Sequence, residues 1–382
     1  MTDIAELADK SPGSIRLENA DSDYPPPEHI LEATRQAVGR DEFNSYLPLR
    51  GLESLRRAVS ERYYSDYGVK YDPSDEIVVT SGAGEALLDT LLSFVDPGDK
   101  VVLTNPTYNG IAQRVKLAGG APTYIELQEA REWHFDPADV SAKMEGSKLV
   151  LYASPSLPTG TVFTREETNA IVEAAEKNDA LIVFDGAMEK IVYDDSSVIL
   201  PATLRSARDR TIVVSSVSKN YSMMGWRVGW VCGPRELVRH VENTHIFNGL
   251  MPSGINQAGA QAALSGPQEW LNSMRASFQR RRNILIGSLE HIPSINIVKS
   301  EGGYSFIANM GRLGVDSTTF SRRLLSEKNV ATTPMVAWGR DNFGHSHVRF
   351  VFTNENEQRL AEAGHRIHEY VSELRGQPST KA

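Results

Sequence analysis

Between Glu76 and Cys232, short apolar runs rich in β-branched residues alternate with longer amphipathic stretches. The short runs predict strands at Ile77–Thr80, Val101–Thr104, Thr123–Leu127, Leu149–Ala153, Leu181–Phe184, Thr211–Val214 and Val228–Cys232. The stretches between them include predicted helices at Ala86–Val95 and Glu166–Lys177, the latter opened by the capping box Thr164-Arg-Glu-Glu167. Strands that are apolar throughout, rather than at every second position, are buried on both faces. Joined by helices, they predict a mostly parallel sheet with helices on either side. Upstream, residues 12–27 hold few helix formers and end in Tyr24-Pro-Pro-Pro27, which predicts an extended arm. Helices follow at Glu28–Val38 and Leu52–Tyr67. Beyond Pro252 the pattern predicts helices at Ile255–Leu264 and Trp270–Leu289, then strands at Ser305–Ala308 and His347–Phe352 with helices at Ser317–Glu327 and Glu355–Arg375. The reading is an α/β fold with a mostly parallel seven-stranded sheet in a large domain and a smaller α+β domain. Residues 1–45 form the arm and part of the small domain, 46–279 the large domain, and 280–382 the rest of the small one. The tail after Arg375 is expected to be disordered.

Composition narrows the function. The 382 residues are 40% hydrophobic and 23% charged, which suits a soluble two-domain protein with a large core. A net charge of −9 argues against a nucleic-acid or anionic-membrane partner. Cys232 is the single cysteine, so neither a disulfide framework nor a cysteine-based metal site is expected within one chain. The N-terminus lacks the basic and apolar regions of a signal peptide, and no apolar run approaches the ~18 residues of a membrane span. A cytoplasmic location is expected.

Ligands of such sheets bind at the carboxyl ends of the strands, so the residues following each strand carry the candidate chemistry. After the first comes Ser81-Gly-Ala-Gly-Glu85, where the backbone at Ala83 and Gly84 opens a helix and can meet an anion. Glu85 suits the helix dipole there but repels an anion if its side chain points that way. Tyr108 follows the second strand in Asn105-Pro-Thr-Tyr108, and Asp185 follows the fifth. After Thr211–Val214 comes Ser215-Ser-Val-Ser-Lys-Asn-Tyr-Ser-Met-Met-Gly-Trp-Arg-Val-Gly-Trp230. Lys219 is positioned there to form a Schiff base at the end of a rigid element. Ser216 and Arg227 can both reach a phosphate, the arginine as a two-pronged donor. Arg349, within the apolar strand His347–Phe352, is costly unless it is paired.

The string S-x-S-K-x7-R-x-G-W resembles the lysine motif of the class I/II aminotransferases, fold-type-I enzymes that use pyridoxal 5'-phosphate (PLP). The other motifs occur in that family's order over nearly the whole chain. The resemblance implies that Lys219 carries the cofactor and that Tyr108 stacks on its ring. Asp185 would pair with its pyridine nitrogen, and Ala83, Gly84, Ser216 and Arg227 would hold its phosphate. Arg349 would hold the substrate carboxylate. Tyr46, in Tyr46-Leu-Pro-Leu-Arg-Gly51, would reach the neighbouring subunit's phosphate in a homodimer with shared active sites.

Three positions depart from the family. Ala20 stands where a glycine is usual. Leu157, in Ser154-Pro-Ser-Leu-Pro-Thr-Gly160, replaces an asparagine, and Met188, in Asp185-Gly-Ala-Met188, replaces a tyrosine. Both replaced residues normally donate to the cofactor's phenolic oxygen, and Tyr221 is a candidate substitute donor. The expected function is a PLP-dependent, aminotransferase-like enzyme acting on an amino acid or amino-acid conjugate. The alternatives are a C–S lyase or decarboxylation-dependent deaminase of a specialised biosynthetic pathway and, in another class, a PLP-binding regulatory protein.

Overall fold

The computed structural model describes residues 2–204 and 207–376. Of the tail expected to be disordered after Arg375, Gly376 ends the last helix and the rest lies outside the described residues. Among the described residues, twelve strands form two sheets. In chain order they are β1 (Ile15–Leu17), β2 (Ile77–Thr80), β3 (Lys100–Asn105), β4 (Ala121–Glu126), β5 (Leu149–Ala153), β6 (Leu181–Asp185), β7 (Thr211–Ser216), β8 (Gly229–Cys232), β9 (Asn296–Ile297), β10 (Ser305–Asn309), β11 (Val330–Pro334) and β12 (His347–Val351). Five helices matter below: α1 (Thr2–Asp9), α2 (Glu28–Val38), α3 (Glu53–Tyr67), α4 (Ala83–Phe94) and α5 (Asn109–Leu117).

The larger sheet runs β2-β8-β7-β6-β5-β3-β4. Its strands are the seven that the apolar runs predict. Alternate residues enter opposite cores: Val102, Val150, Tyr152, Ile182, Phe184 and Val213 pack on one face. Val101, Leu103, Leu149, Leu151, Val183, Ile212 and Val214 pack on the other. Burial on both faces is why these strands show no polar alternation. All pairings are parallel except those of β8, which is antiparallel to both β7 and β2. A parallel neighbour needs a long crossover, whereas the Val217–Val228 connection holds only one helical turn and one 3-10 turn. The chain therefore turns straight back, and Ser216 lies opposite Gly229 at the strand ends.

The smaller sheet runs β1-β11-β12-β10-β9. It contains Arg349 on its central strand, opposite Thr333 on one side and Ile307 on the other. Strand β1 lies within the stretch expected to be a plain extended arm and pairs in parallel with β11, Leu17 opposite Thr332. Its three residues are too few for a periodic signal, and its apolar pair Ile15 and Leu17 reaches the core only through a partner more than 300 residues away. Helix Glu269–Leu289 runs unbroken between the two sheets and packs against the last helix, Glu357–Gly376. No described helix is long and apolar enough to cross a membrane.

Candidate active site

A cavity of about 510 Å³ opens at the carboxyl ends of the larger sheet, closed on its far side by residues from the smaller one. Eight of the nine predicted site residues line it: Ala83, Gly84, Tyr108, Asp185, Ser216, Lys219, Arg227 and Arg349. Tyr46 does not; it is 81% exposed, on the surface before α3.

Each lining residue is held by its element. Gly82 precedes α4 at φ +86°, and a Cβ there would lie 2.5 Å from Arg227 Nη2. Only glycine lets the guanidinium come that close to the first turn of α4, where the backbone N–H groups have no helical partners. Arg227 donates from Nη1 to Ser218 Oγ at 3.3 Å and to the Met224 carbonyl at 3.1 Å. Glu85, in the first turn, reaches back to the Ser81 N–H and faces His245, whose Nδ1 lies 3.6 Å from Glu85 Oε1 and 3.3 Å from Asp89 Oδ2. Burial lowers the His245 pKa, but the two carboxylates outweigh it and raise the value to about 9. His245 thus offsets the Glu85 charge, and the remaining N–H groups of the first turn can still meet a phosphate.

Lys219 occupies the single helical turn after β7. Burial depresses its pKa to about 8; Arg349 and Arg227 add to the fall, and Asp21 opposes it. Its Nζ donates to the Ala20 carbonyl and lies 5.3 Å from the Tyr304 ring centroid, while Tyr304 Oη donates to the Lys219 carbonyl at 2.8 Å. Asp185 ends β6, deep in the chain with one face toward the cavity. Burial pushes its carboxyl up to about 6 against the Ala187 N–H, which donates to Oδ1 at 3.0 Å. Tyr108 caps α5, its ring 5.4 Å from that of Trp338. Arg349 is buried, donates from Nη2 to the Glu18 carbonyl at 2.6 Å and lies 4.8 Å over the Trp338 ring. Its Nε has no partner, and burial lowers its pKa to about 10.

Leu157 and Met188 both line the cavity, so the two departures face the site. Tyr221 does not replace them: it is fully buried and hydrogen-bonds Gln268 Oε1 at 3.1 Å. Sequence reasoning passed over Glu18, Arg114 and Ser218, which also line the cavity. Ser218 adjoins the lysine and was legible there. Arg114 sits mid-helix with no local sign of its direction. Glu18 was hidden by the reading of residues 12–27 as a plain extended arm.

The match to known proteins spans this whole arrangement. Residues 13–367 match the family model "Aminotransferase class I and II". The chain belongs to that family. It is 32% identical over 364 residues to an aspartate aminotransferase of Bacillus subtilis (strain 168), covering 94% of this chain and 91% of that one. The structure of N-succinyldiaminopimelate aminotransferase from Mycobacterium tuberculosis superposes with a TM-score of 0.90 at 30% identity, covering 96% of this chain and 95% of that one. An aromatic aminotransferase from Pyrococcus horikoshii gives 0.89 at 27% identity, covering 97% and 99%. Class I/II aminotransferases are PLP-dependent, and the residues present fit that cofactor. The bare start of α4 with Arg227 and Ser216 suits its phosphate. Asp185 suits a protonated pyridine nitrogen, and a depressed lysine suits its aldehyde. The names of these relatives differ in substrate, so membership does not by itself specify which amino acid this aminotransferase takes.

Proposed function

We propose that this enzyme transfers the amino group of an amino acid to a 2-oxo acid, with each cavity residue in a definite role. The observation that carries the reading is the convergence of Lys219, Asp185, Arg227 and Arg349 on one cavity. Ala83, Gly84, Ser216 and Arg227 bind the phosphate. Asp185 holds a negative charge against the pyridine nitrogen, and Tyr108 lies along the ring. When bound, PLP supplies an electron sink for the pair left at the substrate α carbon. Lys219, about half of it neutral at pH 8, would hold the cofactor and would carry the proton between the substrate α carbon and the cofactor. Arg349 binds the substrate carboxylate as a fork. A charged guanidinium gives that contact the strength of a charge-assisted hydrogen bond.

A second reading rests on Leu157 and Met188. With apolar side chains facing the cavity at both positions, the carboxylate and the cofactor's phenolic oxygen lose two polar neighbours. That favours β-elimination at a carbon–sulfur bond or decarboxylation with deamination, because the bond broken is the one held perpendicular to the ring. One experiment separates the readings. Purified enzyme is incubated with a panel of amino acids and S-conjugates, with and without a 2-oxo acid, and products are identified by mass spectrometry. Product that appears only with the oxo acid supports transamination; pyruvate or carbon dioxide without it replaces that reading.

We also read the active unit as a cytoplasmic homodimer. Tyr46 and Phe247 are 81% and 91% exposed, with Leu49 and Leu250 exposed beside them. The two segments touch through the Leu47 N–H on Met251 Sδ at 3.0 Å, which makes one apolar patch. Gly249, in the same patch, packs against Glu85 in the first turn of α4. A second chain seated there brings its own Tyr46 toward the phosphate end of the cavity. Sedimentation of an active monomer at nanomolar concentration refutes this.

A further inference from the structure

This inference rests on the reading that the start of α4 binds the PLP phosphate, and it concerns an ion cluster behind that start. A glutamate in the first turn of a phosphate-binding helix carries a cost, because two negative charges then share one positive end. Glu85 has a use there. Its Oε2 takes the Ser81 N–H, and the Ser81 carbonyl takes Arg227 Nη2 at 3.4 Å, so the glutamate helps to shape the turn that receives Arg227. Its charge is not left to solvent. The side chain is 12% exposed, and a Cβ on Gly249 would lie 1.7 Å from Oε1.

His245 meets that charge. Its ring is fully buried on helix Arg235–Asn248, which packs along α4. Nδ1 lies between Asp89 Oδ2 and Glu85 Oε1, and Nε2 has no partner, so the two carboxylates are the ring's only polar company. Asn248 Nδ2 donates to the other Asp89 oxygen at 2.8 Å. On the preceding turn Glu242 is already paired with Arg50, and among the described residues no other cation pairs with Glu85 or Asp89. Burial raises the Glu85 pKa, but His245 and the Ser81 N–H outweigh it and leave it below its usual value. With both carboxylates ionised, the imidazolium takes the cluster from two negative charges to one. None of the three side chains lines the cavity, so the cluster acts on a ligand through the helix and not by contact. Buried charges are poorly screened, which lets that influence reach the first turn.

We propose that His245 is a positioning residue for the cofactor: its imidazolium, held between Glu85 and Asp89, offsets the charge that would otherwise repel the phosphate at the start of α4. The offset is full at neutral pH and is lost as pH rises through the raised His245 pKa of about 9. Binding of the phosphate stabilises the imidazolium in return, by reciprocity.

The test is calorimetric binding of pyridoxamine 5'-phosphate and of pyridoxamine to the full chain stripped of cofactor. Neither forms an imine with Lys219, so the ratio of their affinities isolates the phosphate, which is a dianion above about pH 7. At about pH 7.5, His245→Gln should lower that ratio about 5- to 30-fold, the effect of one unit charge on a dianion from the first turns of the same helix. Glu85→Gln, which keeps an acceptor for the Ser81 N–H, should raise it by a similar factor. The double variant restores the charge of the cluster and should return the ratio to within about threefold of wild type. A packing defect at position 245 would not be rescued in this way. From pH 8 to pH 10 the wild-type ratio should fall further than that of His245→Gln. A ratio unchanged by His245→Gln, or a double variant no better than His245→Gln alone, overturns the inference. If His245→Gln does not fold, Glu85→Gln decides, and a ratio that stays the same or falls overturns it. A wild-type ratio near one refutes instead the reading of the helix start as a phosphate site.

Discussion

Asp185→Asn should move stability and cofactor affinity in opposite directions. In the cofactor-free protein, burial raises the Asp185 pKa from 3.8 to about 6. A shift of about 2 pKa units corresponds to about 3 kcal/mol against the ionised form. Because Asp185 lines the cavity and is not sealed in the core, about 1–2 kcal/mol of that is expected. Asparagine keeps the acceptor for the Ala187 N–H and removes the charge. At pH 8 the cofactor-free variant should therefore unfold about 1–4 °C higher than wild type. The sign with pH follows from linkage. A carboxyl whose folded pKa is raised destabilises the fold above that pKa and ceases to do so below its unfolded value. The advantage of asparagine is thus full above about pH 6 and gone near pH 4. With PLP bound the balance reverses, because asparagine cannot neutralise a pyridinium. PLP affinity should fall about 10- to 100-fold. Scanning calorimetry of stripped protein from pH 8 to pH 5, with PLP titrations at pH 8, measures both effects. A variant less stable than wild type at pH 8, or a stability gap that does not change with pH, refutes the placement of a desolvated charge at Asp185.

Three further outcomes are expected. In cofactor-free protein the rate of linkage to added PLP should rise with pH and level off near pH 8, where the Lys219 amine becomes neutral. A rate still climbing beyond about pH 10, as for an ordinary lysine, counts against a desolvated Lys219. Arg349→Ala should weaken amino-acid binding by about 2–5 kcal/mol with little change in PLP affinity; an unchanged Michaelis constant on every substrate removes Arg349 from the substrate site. Leu157→Asn combined with Met188→Tyr should lower by about 1 unit the pH at which the bound cofactor's visible absorption gives way to near-ultraviolet absorption, and should raise the share of transamination among the products. A wild-type spectrum that already titrates near neutrality shows that another donor acts.

What the sequence made legible divides along a physical line. The seven strands of the larger sheet were readable because most are continuous apolar runs and most are separated by helices. The residues that act at their ends followed, because parallel sheets place ligands there. Arg349 was readable because a charge inside an apolar strand needs an explanation. Elements stabilised only by distant partners were not readable. Strand β1 depends on β11, and α1 packs Ile4 and Ala8 against Leu325 and Ala331, more than 300 residues away. Glu18, whose carbonyl takes Arg349, became visible beside the cavity only once β1 was placed beside β11.

That blind spot coincides with the place where the two halves of the site are joined. The segment from Glu18 to Tyr24 touches both sheets at once. Toward the smaller sheet, the Glu18 carbonyl holds Arg349 and Thr333, and the Asp21 carbonyl takes the Thr353 hydroxyl. Toward the lysine, the Ala20 carbonyl takes Lys219 Nζ, and the Tyr24 carbonyl takes the Ser222 hydroxyl at 2.8 Å. Asp23 adds an ion pair with Arg281 of helix Glu269–Leu289, at 2.6 Å. These are mostly backbone acceptors in fixed positions, and their spacing along an extended chain sets the distance between Arg349 and Lys219. A shift of the smaller sheet therefore moves Arg349 and the acceptor of Lys219 together. A segment with that double duty need not share the family's sequence at every position, provided that its carbonyls stay in register. Its side chains are then free to differ.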